Sequence, residues 1–350
     1  MKKVFALFLA LSMSLALVAC GSNGAANASA AASGSGESGG DSEVTLTLAH
    51  IRPDGSSADL AIKAFTAEAT ELSGGSLKFD IYPASQLGDY TTVFERVMIG
   101  DVDMQIATIP TSVDKFFGIG NGAYIATTWE EAKEMFATGS PIAAAIDKKL
   151  ADYDVKYLNM YPFYFGGIAL GVAPVDPTNP DAKNGIKIRV PSMTSFEKTA
   201  ENLGYLGTPL PSSETFTSMQ TGVVNGAIGM GAEGYYSNLG DMVKYYLPLN
   251  DHFECWYSII NMEKFNSLTA NQQEALTTAA KHMEEKRWGI AESETAEYEQ
   301  KLVDEYNVTI VEFTDEQLAA FASKIRANVW PIVREDFGGE LFDQVTAGLK

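Results

Sequence analysis

The sequence has few of the residue types that build disulfide frameworks, zinc sites or nucleic-acid-binding surfaces. Its 350 residues include two cysteines and three histidines, which excludes a disulfide framework and argues against a Cys/His zinc site. Lysine and arginine total 25 against 45 acidic residues, giving a formal net charge of -20. Phosphates require a basic surface, so we expect no nucleic-acid partner, and we predict neither a metal nor a cofactor.

Long apolar runs are also scarce. The run at residues 4–18 follows a basic start at Lys2 and Lys3 and is too short to span a bilayer comfortably. It leads into Ala19-Cys20-Gly21, which resembles the lipobox of bacterial lipoproteins. We predict a signal peptide over residues 1–19 and a lipid anchor at Cys20. The protein would then lie outside the cytoplasm, on the outer face of the cell membrane or in the periplasm. The alternative is an ordinary signal peptide with an incidental cysteine.

Residues 21–42 contain no aromatic and no large aliphatic side chain. Such a segment cannot bury enough apolar surface to offset the entropy lost on ordering, so residues 20–42 are predicted to form a flexible linker. No later stretch reaches 18 uninterrupted apolar residues. The remainder is therefore predicted to be a globular body outside the membrane.

Strand and helix patterns alternate after the linker. Apolar periodicity predicts strands at 43–50, 77–82 and 103–107, with helices at 59–73 and 91–99 between them. A second set is predicted at 185–190, 192–203, 213–221 and 223–228. This order is typical of α/β proteins with open, mainly parallel sheets, and two sets predict two lobes with a ligand cleft between them. We assign residues 43–166 with 255–290 to lobe I, and residues 167–254 with 291–350 to lobe II.

One helical pattern is unusually long. Residues 269–306 contain no proline and a single glycine, Gly289, and they begin with a Thr269/Gln272 capping box. A helix of this length would measure about 57 Å, which exceeds one small lobe, so we predict that it crosses both. Two helices broken at Gly289 are the alternative.

Four short segments occur in a recognisable order: YPASQLG at 82–88, GDVDM at 100–104, GIKIRVP at 185–191 and MQTGVVNG at 219–226. They resemble motifs of the solute-binding proteins of TRAP (tripartite ATP-independent periplasmic) transporters, the DctP-like family. The resemblance covers roughly residues 43–350. It implies a two-lobed α/β fold like that of periplasmic binding proteins, with a long helix bridging both lobes.

The resemblance also implies a function. Such proteins capture a small organic acid outside the cytoplasm and deliver it to the membrane permease subunits of a TRAP transporter. The family's carboxylate-binding arginine corresponds here to Arg189. A guanidinium presents paired donors in one plane and stays charged at every relevant pH, which suits a carboxylate. In the alternative, Arg189 pairs with a structural acid.

The chain departs from the family in two places. Many members carry a second arginine on the strand that here is 165–170, and this chain has none there. Arg52, in the loop after the first strand, is predicted to replace it, although an exposed loop arginine is the alternative. Many members also carry an Asn-Pro pair where this chain has Gly229-Met230. These changes put the usual sugar-acid and simple dicarboxylate ligands in doubt.

Five further residues complete the predicted ligand site. Glu233 lies in the glycine-rich segment 229–234 and could accept a hydrogen bond from a ligand, or be a solvated turn residue. The match of that segment to G-x-G-x-x-G is weak evidence for a dinucleotide site. The other predicted ligand contacts are Tyr236, Phe165, Trp256 and His50. For Phe165 the alternative is a core position, for Trp256 a hinge filler, and for His50 a hydrogen-bonded structural role.

Three classes of function compete. We favour a binding protein, because no nucleophile elbow, P-loop or nucleophile–histidine pair is evident. A cell-surface hydrolase or lyase using cleft carboxylates such as Glu233 is the second class. A structural or adhesive lipoprotein is the third.

Overall fold

The computed structural model describes residues 41–349, which hold eleven strands and eleven α-helices. The strands are β1 Val44–Ala49, β2 Leu77–Tyr82, β3 Met104–Ala107, β4 Val155–Phe165, β5 Gly167–Leu170, β6 Lys187–Val190, β7 Leu206–Pro209, β8 Gly226–Met230, β9 Tyr245–Leu247, β10 Phe253–Asn261 and β11 Thr309–Ile310. The helices are α1 Ser57–Leu72, α2 Tyr90–Met98, α3 Trp129–Phe136, α4 Pro141–Ala151, α5 Thr194–Asn202, α6 Thr215–Gln220, α7 Ala232–Leu239, α8 Met262–Ser267, α9 Ala270–Tyr306, α10 Asp315–Val333 and α11 Gly339–Thr346. The predicted signal peptide, Cys20 and linker residues up to 40 lie outside the described range. No helix within that range is long and apolar enough to cross a membrane.

The strands form two sheets. The first has the order β2-β1-β3-β10-β4, in which β1 is parallel to β2 and β3, while β10 is antiparallel to both of its neighbours. The second has the order β11-β9-β5-β8-β6-β7, with β6 parallel to β7 and β8. The predicted two-lobed α/β fold is confirmed, but both sheets are mixed rather than mainly parallel, because β10 and β5 are antiparallel to their neighbours.

Besides α8 and α9, which lead from β10 to β11, two short segments carry the chain between the sheets. Gly166 separates β4 of the first sheet from β5 of the second, and residues 248–252 connect β9 to β10 in the reverse direction. The Gly166 N–H donates to the His252 carbonyl at 2.9 Å, so the two crossings lie side by side. A Cβ atom at Gly166 would come within 2.0 Å of the His252 ring, which explains the glycine.

Helix α9 runs unbroken through Gly289 for 37 residues, about 56 Å, so the alternative of two helices is wrong. The predicted Thr269/Gln272 capping box is present, and Asn307 ends the helix in a left-handed conformation. Leu276 packs in a core with β1 and α1, whereas Leu302 packs in a separate core with α7. The helix therefore bridges the cores of both sheets, as the sequence predicts.

One predicted strand is displaced. The sequence predicts a strand over residues 223–228, but β8 spans Gly226–Met230. Val223 is 51% exposed in a turn after Gly222, which has a positive φ. At Gly226 a Cβ atom would lie 2.5 Å from the Ala169 carbonyl, so the strand can pair closely only from this glycine onward.

Candidate functional site

A small cavity is lined by residues from both sheets. Arg52 and Thr108 come from the loops after β1 and β3, and Pro191 directly follows β6. These positions lie at the carboxyl ends of parallel strands, which is where open α/β sheets hold their ligands. The polar side chains in its wall include Arg52, Tyr90, Thr108, Asn121, Arg189 and Glu254.

Arg189, near the end of β6, is buried in the wall of this cavity. Its Nε donates to the Leu210 carbonyl at 2.9 Å, and Nη1 donates to the Ile228 carbonyl at 3.3 Å. No ion pair joins it to an acid anywhere in residues 41–349. The alternative of a structural acid partner is therefore not what the structure shows. Burial lowers the pKa of Arg189, although a guanidinium starts high enough to keep its charge.

Arg52 has a different environment. Its Nε lies 2.9 Å from Oε2 of Glu233 on α7, and both side chains are buried, so the alternative of a solvated loop arginine is wrong. The guanidinium carbon lies 5.0 Å from the ring centre of Phe163 and 5.4 Å from that of Trp256. Burial alone would lower the pKa of Arg52, but Glu233, Tyr164 and Glu254 together outweigh burial and the pKa is raised.

Glu233 lies in the first turn of α7 and is buried rather than a solvated turn residue. Besides the contact with Arg52, it accepts a hydrogen bond from the Ser237 hydroxyl at 3.0 Å. A Cβ atom at Gly234 would lie 2.7 Å from Nη2 of Arg52, so this glycine admits the protein's own guanidinium. The glycine-rich segment therefore positions an ion pair.

Glu254 is a cavity residue that the sequence analysis missed. Its Oε1 accepts from Trp256 Nε1 at 2.8 Å, and its Oε2 accepts from Asn121 Nδ2 at 2.7 Å. Trp256 thus lines the cavity as predicted while also orienting an acid. The signal was available: Glu254 is a charged residue within the otherwise mainly apolar β10, and charged residues are seldom fully buried unless paired.

His252 lies behind Glu254 at the crossing between the sheets. Its Nδ1 is 2.7 Å from Asp251, and its Nε2 is 3.5 Å from Glu254. Burial lowers the pKa of His252, but the two carboxylates outweigh burial and raise it to about 9. The imidazole is therefore a buried cation at neutral pH.

Four predicted ligand residues do not line the cavity: Glu233, described above, and Phe165, His50 and Tyr236. The Phe165 ring packs edge to face on Trp129 at 5.3 Å in the core. His50 lies 3.2 Å from Asp59, and burial lowers its pKa to about 4, in keeping with the structural alternative. The Tyr236 hydroxyl donates to Glu305 at 2.7 Å, and its ring packs on those of Tyr298 and Tyr306.

Comparison with known proteins places the chain among binding proteins. The family model DctP, described as bacterial extracellular solute-binding protein, family 7, matches residues 48–336. A solute-binding protein of Roseobacter denitrificans is 25% identical over 296 residues, which cover 83% of this chain and 89% of that protein.

Solved structures of TRAP solute-binding proteins have the same fold. One from Sulfurospirillum deleyianum with bound succinate has a TM-score of 0.79 at 18% identity, covering 88% of this chain and 100% of the other. The sugar-acid-binding protein of Advenella mimigardefordensis in complex with galactonate has a TM-score of 0.78 at 20% identity, covering 87% and 97%.

Proposed function

Because this chain belongs to the DctP family of bacterial extracellular solute-binding proteins, we propose that it captures a small organic acid outside the cytoplasm for a TRAP transporter. Relatives of similar fold hold succinate or galactonate, which are both carboxylates. The permease subunits of the transporter would receive the acid from this protein.

The observation that carries the proposal is the state of Arg189. Its guanidinium is buried beside a cavity, and within the described residues it is bonded only to carbonyl oxygens. A buried charge is costly unless it is paired, so a site of this kind is suited to an anionic ligand. A carboxylate would supply the missing charge through charge-assisted hydrogen bonds.

We further propose how the protein is arranged around this site. Lobe I would comprise residues 43–166 with 255–290, and lobe II residues 167–254 with 291–350. Since the cavity wall draws on both sheets, a bound acid would stabilise the closed arrangement of the lobes. Lipidation of Cys20 would anchor the protein to the membrane through residues 21–42.

A thermal-shift screen of the mature protein against organic acids tests the proposed function. An acid that binds the folded state raises the melting temperature. We expect at least one stabilising acid, and we expect Arg189→Ala to weaken its binding by about 2–5 kcal/mol, the usual cost of truncating one partner of a buried charged contact. Arg334→Ala is the matched control, because Arg334 pairs with acids at the surface. An acid that stabilises Arg189→Ala as much as wild type would refute the assignment.

A further inference from the structure

The two guanidinium groups in the cavity wall differ in their charge partners. Arg52 contacts the Glu233 carboxylate at 2.9 Å, with both side chains buried. Arg189 forms no ion pair with any residue in 41–349 and donates to two carbonyl oxygens. A carbonyl is a dipole without net charge, so no direct contact compensates the charge of Arg189, and Glu254 acts on it only from a longer distance. The described residues that line the cavity include two arginines, Arg52 and Arg189, and no lysine. Glu233 already neutralises Arg52.

The protein also places a carboxylate in the cavity wall. Both oxygens of Glu254 accept hydrogen bonds from nitrogen atoms, those of Trp256 and Asn121. A ligand carboxylate beside Glu254 would meet a group of the same charge. Such repulsion is strong where protein side chains exclude water, and unfavourable like-charge contacts are a common source of specificity.

From this charge balance we propose that the cavity selects an acid with a single carboxylate and rejects dicarboxylates, with Glu233 as the specificity-determining residue. The inference rests on the proposed function. Arg189 would receive the one carboxylate. A second carboxylate would find Arg52 already neutralised by Glu233. It would also be repelled by Glu254, whose charge His252 compensates only in part because Asp251 pairs with the same imidazole.

Matched acids test this inference on the mature protein. Two pairs of acids differ at one carboxylate. Succinamate has an amide where succinate has its second carboxylate, and galactonate has a hydroxymethyl group where galactarate has its second carboxylate. Isothermal titration should show that the wild-type protein binds the monoacid of a pair at least about tenfold more tightly than the diacid. Glu233→Gln should reduce the ratio of the diacid Kd to the monoacid Kd by about tenfold. The amide keeps the size of the side chain but no longer compensates the charge of Arg52. Glu292→Gln, an exposed change on α9, is the control with the same change in net charge.

The outcomes separate the two proposals. A diacid that binds the wild-type protein as tightly as its monoacid overturns the specificity inference and leaves the proposed function intact. If neither these acids nor the wider panel of organic acids stabilise the protein, the proposed function fails and the inference fails with it. The wild-type comparison needs no variant, so it decides the question even if Glu233→Gln does not fold. An unchanged preference in a folded Glu233→Gln protein would show that Glu233 does not set specificity.

Discussion

Arg52 and Arg189 are both buried and both line the cavity, yet one is joined to an acid and the other is not. Arg52 lies against Glu233 and the faces of aromatic rings. Arg189 is held by backbone carbonyls alone. The difference teaches that burial does not assign a role to a charged residue. The role depends on the group that the charged side chain contacts, because a compensated charge contributes to the fold and an uncompensated one is available to a ligand.

The largest expected effect comes from breaking the compensated pair. Arg52→Leu leaves the Glu233 carboxylate buried without its cation, which should cost about 3–5 kcal/mol of unfolding free energy. Urea unfolding followed by tryptophan fluorescence measures this loss. The double variant Arg52→Leu with Glu233→Leu should recover most of it, since no charge is then stranded. A single variant within about 1 kcal/mol of wild type would show that the pair does not stabilise the fold.

An intermediate effect is expected from His252, the cation next to Glu254. Its pKa is raised to about 9 in the folded protein from an ordinary value near 6.5. The folded state therefore binds the proton more tightly. The resulting stabilisation is fully present below about pH 6.5 and is lost as the pH rises through about 9.

His252→Asn should remove this dependence of the unfolding free energy on pH. The wild-type protein should lose on the order of 2 kcal/mol of unfolding free energy between pH 6.5 and 9, and the variant should lose much less. Denaturant unfolding across that range provides the measurement, with His282→Asn as a half-exposed control. Parallel profiles for wild type and His252→Asn would contradict the assignment.

The smallest effect on stability is expected at the uncompensated arginine. Arg189→Leu removes a buried charge that has no acidic partner in the described structure, although it also strands the carbonyls of Leu210 and Ile228. These terms oppose each other, so the unfolding free energy in the absence of ligand should stay within about 1 kcal/mol of wild type. If Arg189→Leu lost as much unfolding free energy as Arg52→Leu, the two arginines would not differ in their contribution to stability.

Several features were predictable because they depend on local pattern. The four motif segments correctly identified the DctP family, whose members are solute-binding receptors outside the cytoplasm. The prediction that the chain is not an enzyme is thereby confirmed, and neither a surface hydrolase nor an adhesive protein fits that family. Strand β2 has the predicted bounds, and α9 differs from its predicted range by one residue at its start.

The site was predictable only in part. Arg189, Arg52 and Trp256 line the cavity as expected, whereas Glu233, Phe165, His50 and Tyr236 do not. Alternation along a strand shows that Phe165 shares a face with other aromatic residues, but it does not show what covers that face. Their roles in ligand binding, like the lipid anchor at Cys20 and the lobe boundaries, stay predictions.

The sequence by itself determined the family and the length of the bridging helix, because each depends on residues close together in the chain. The tertiary structure alone decided which arginine is neutralised. Arg52 and Glu233 are 181 positions apart, and Arg189 and Glu254 are 65 apart. Charge compensation depends on distances of a few ångströms in space, and those distances arise only when two sheets and their connecting crossings bring distant segments together.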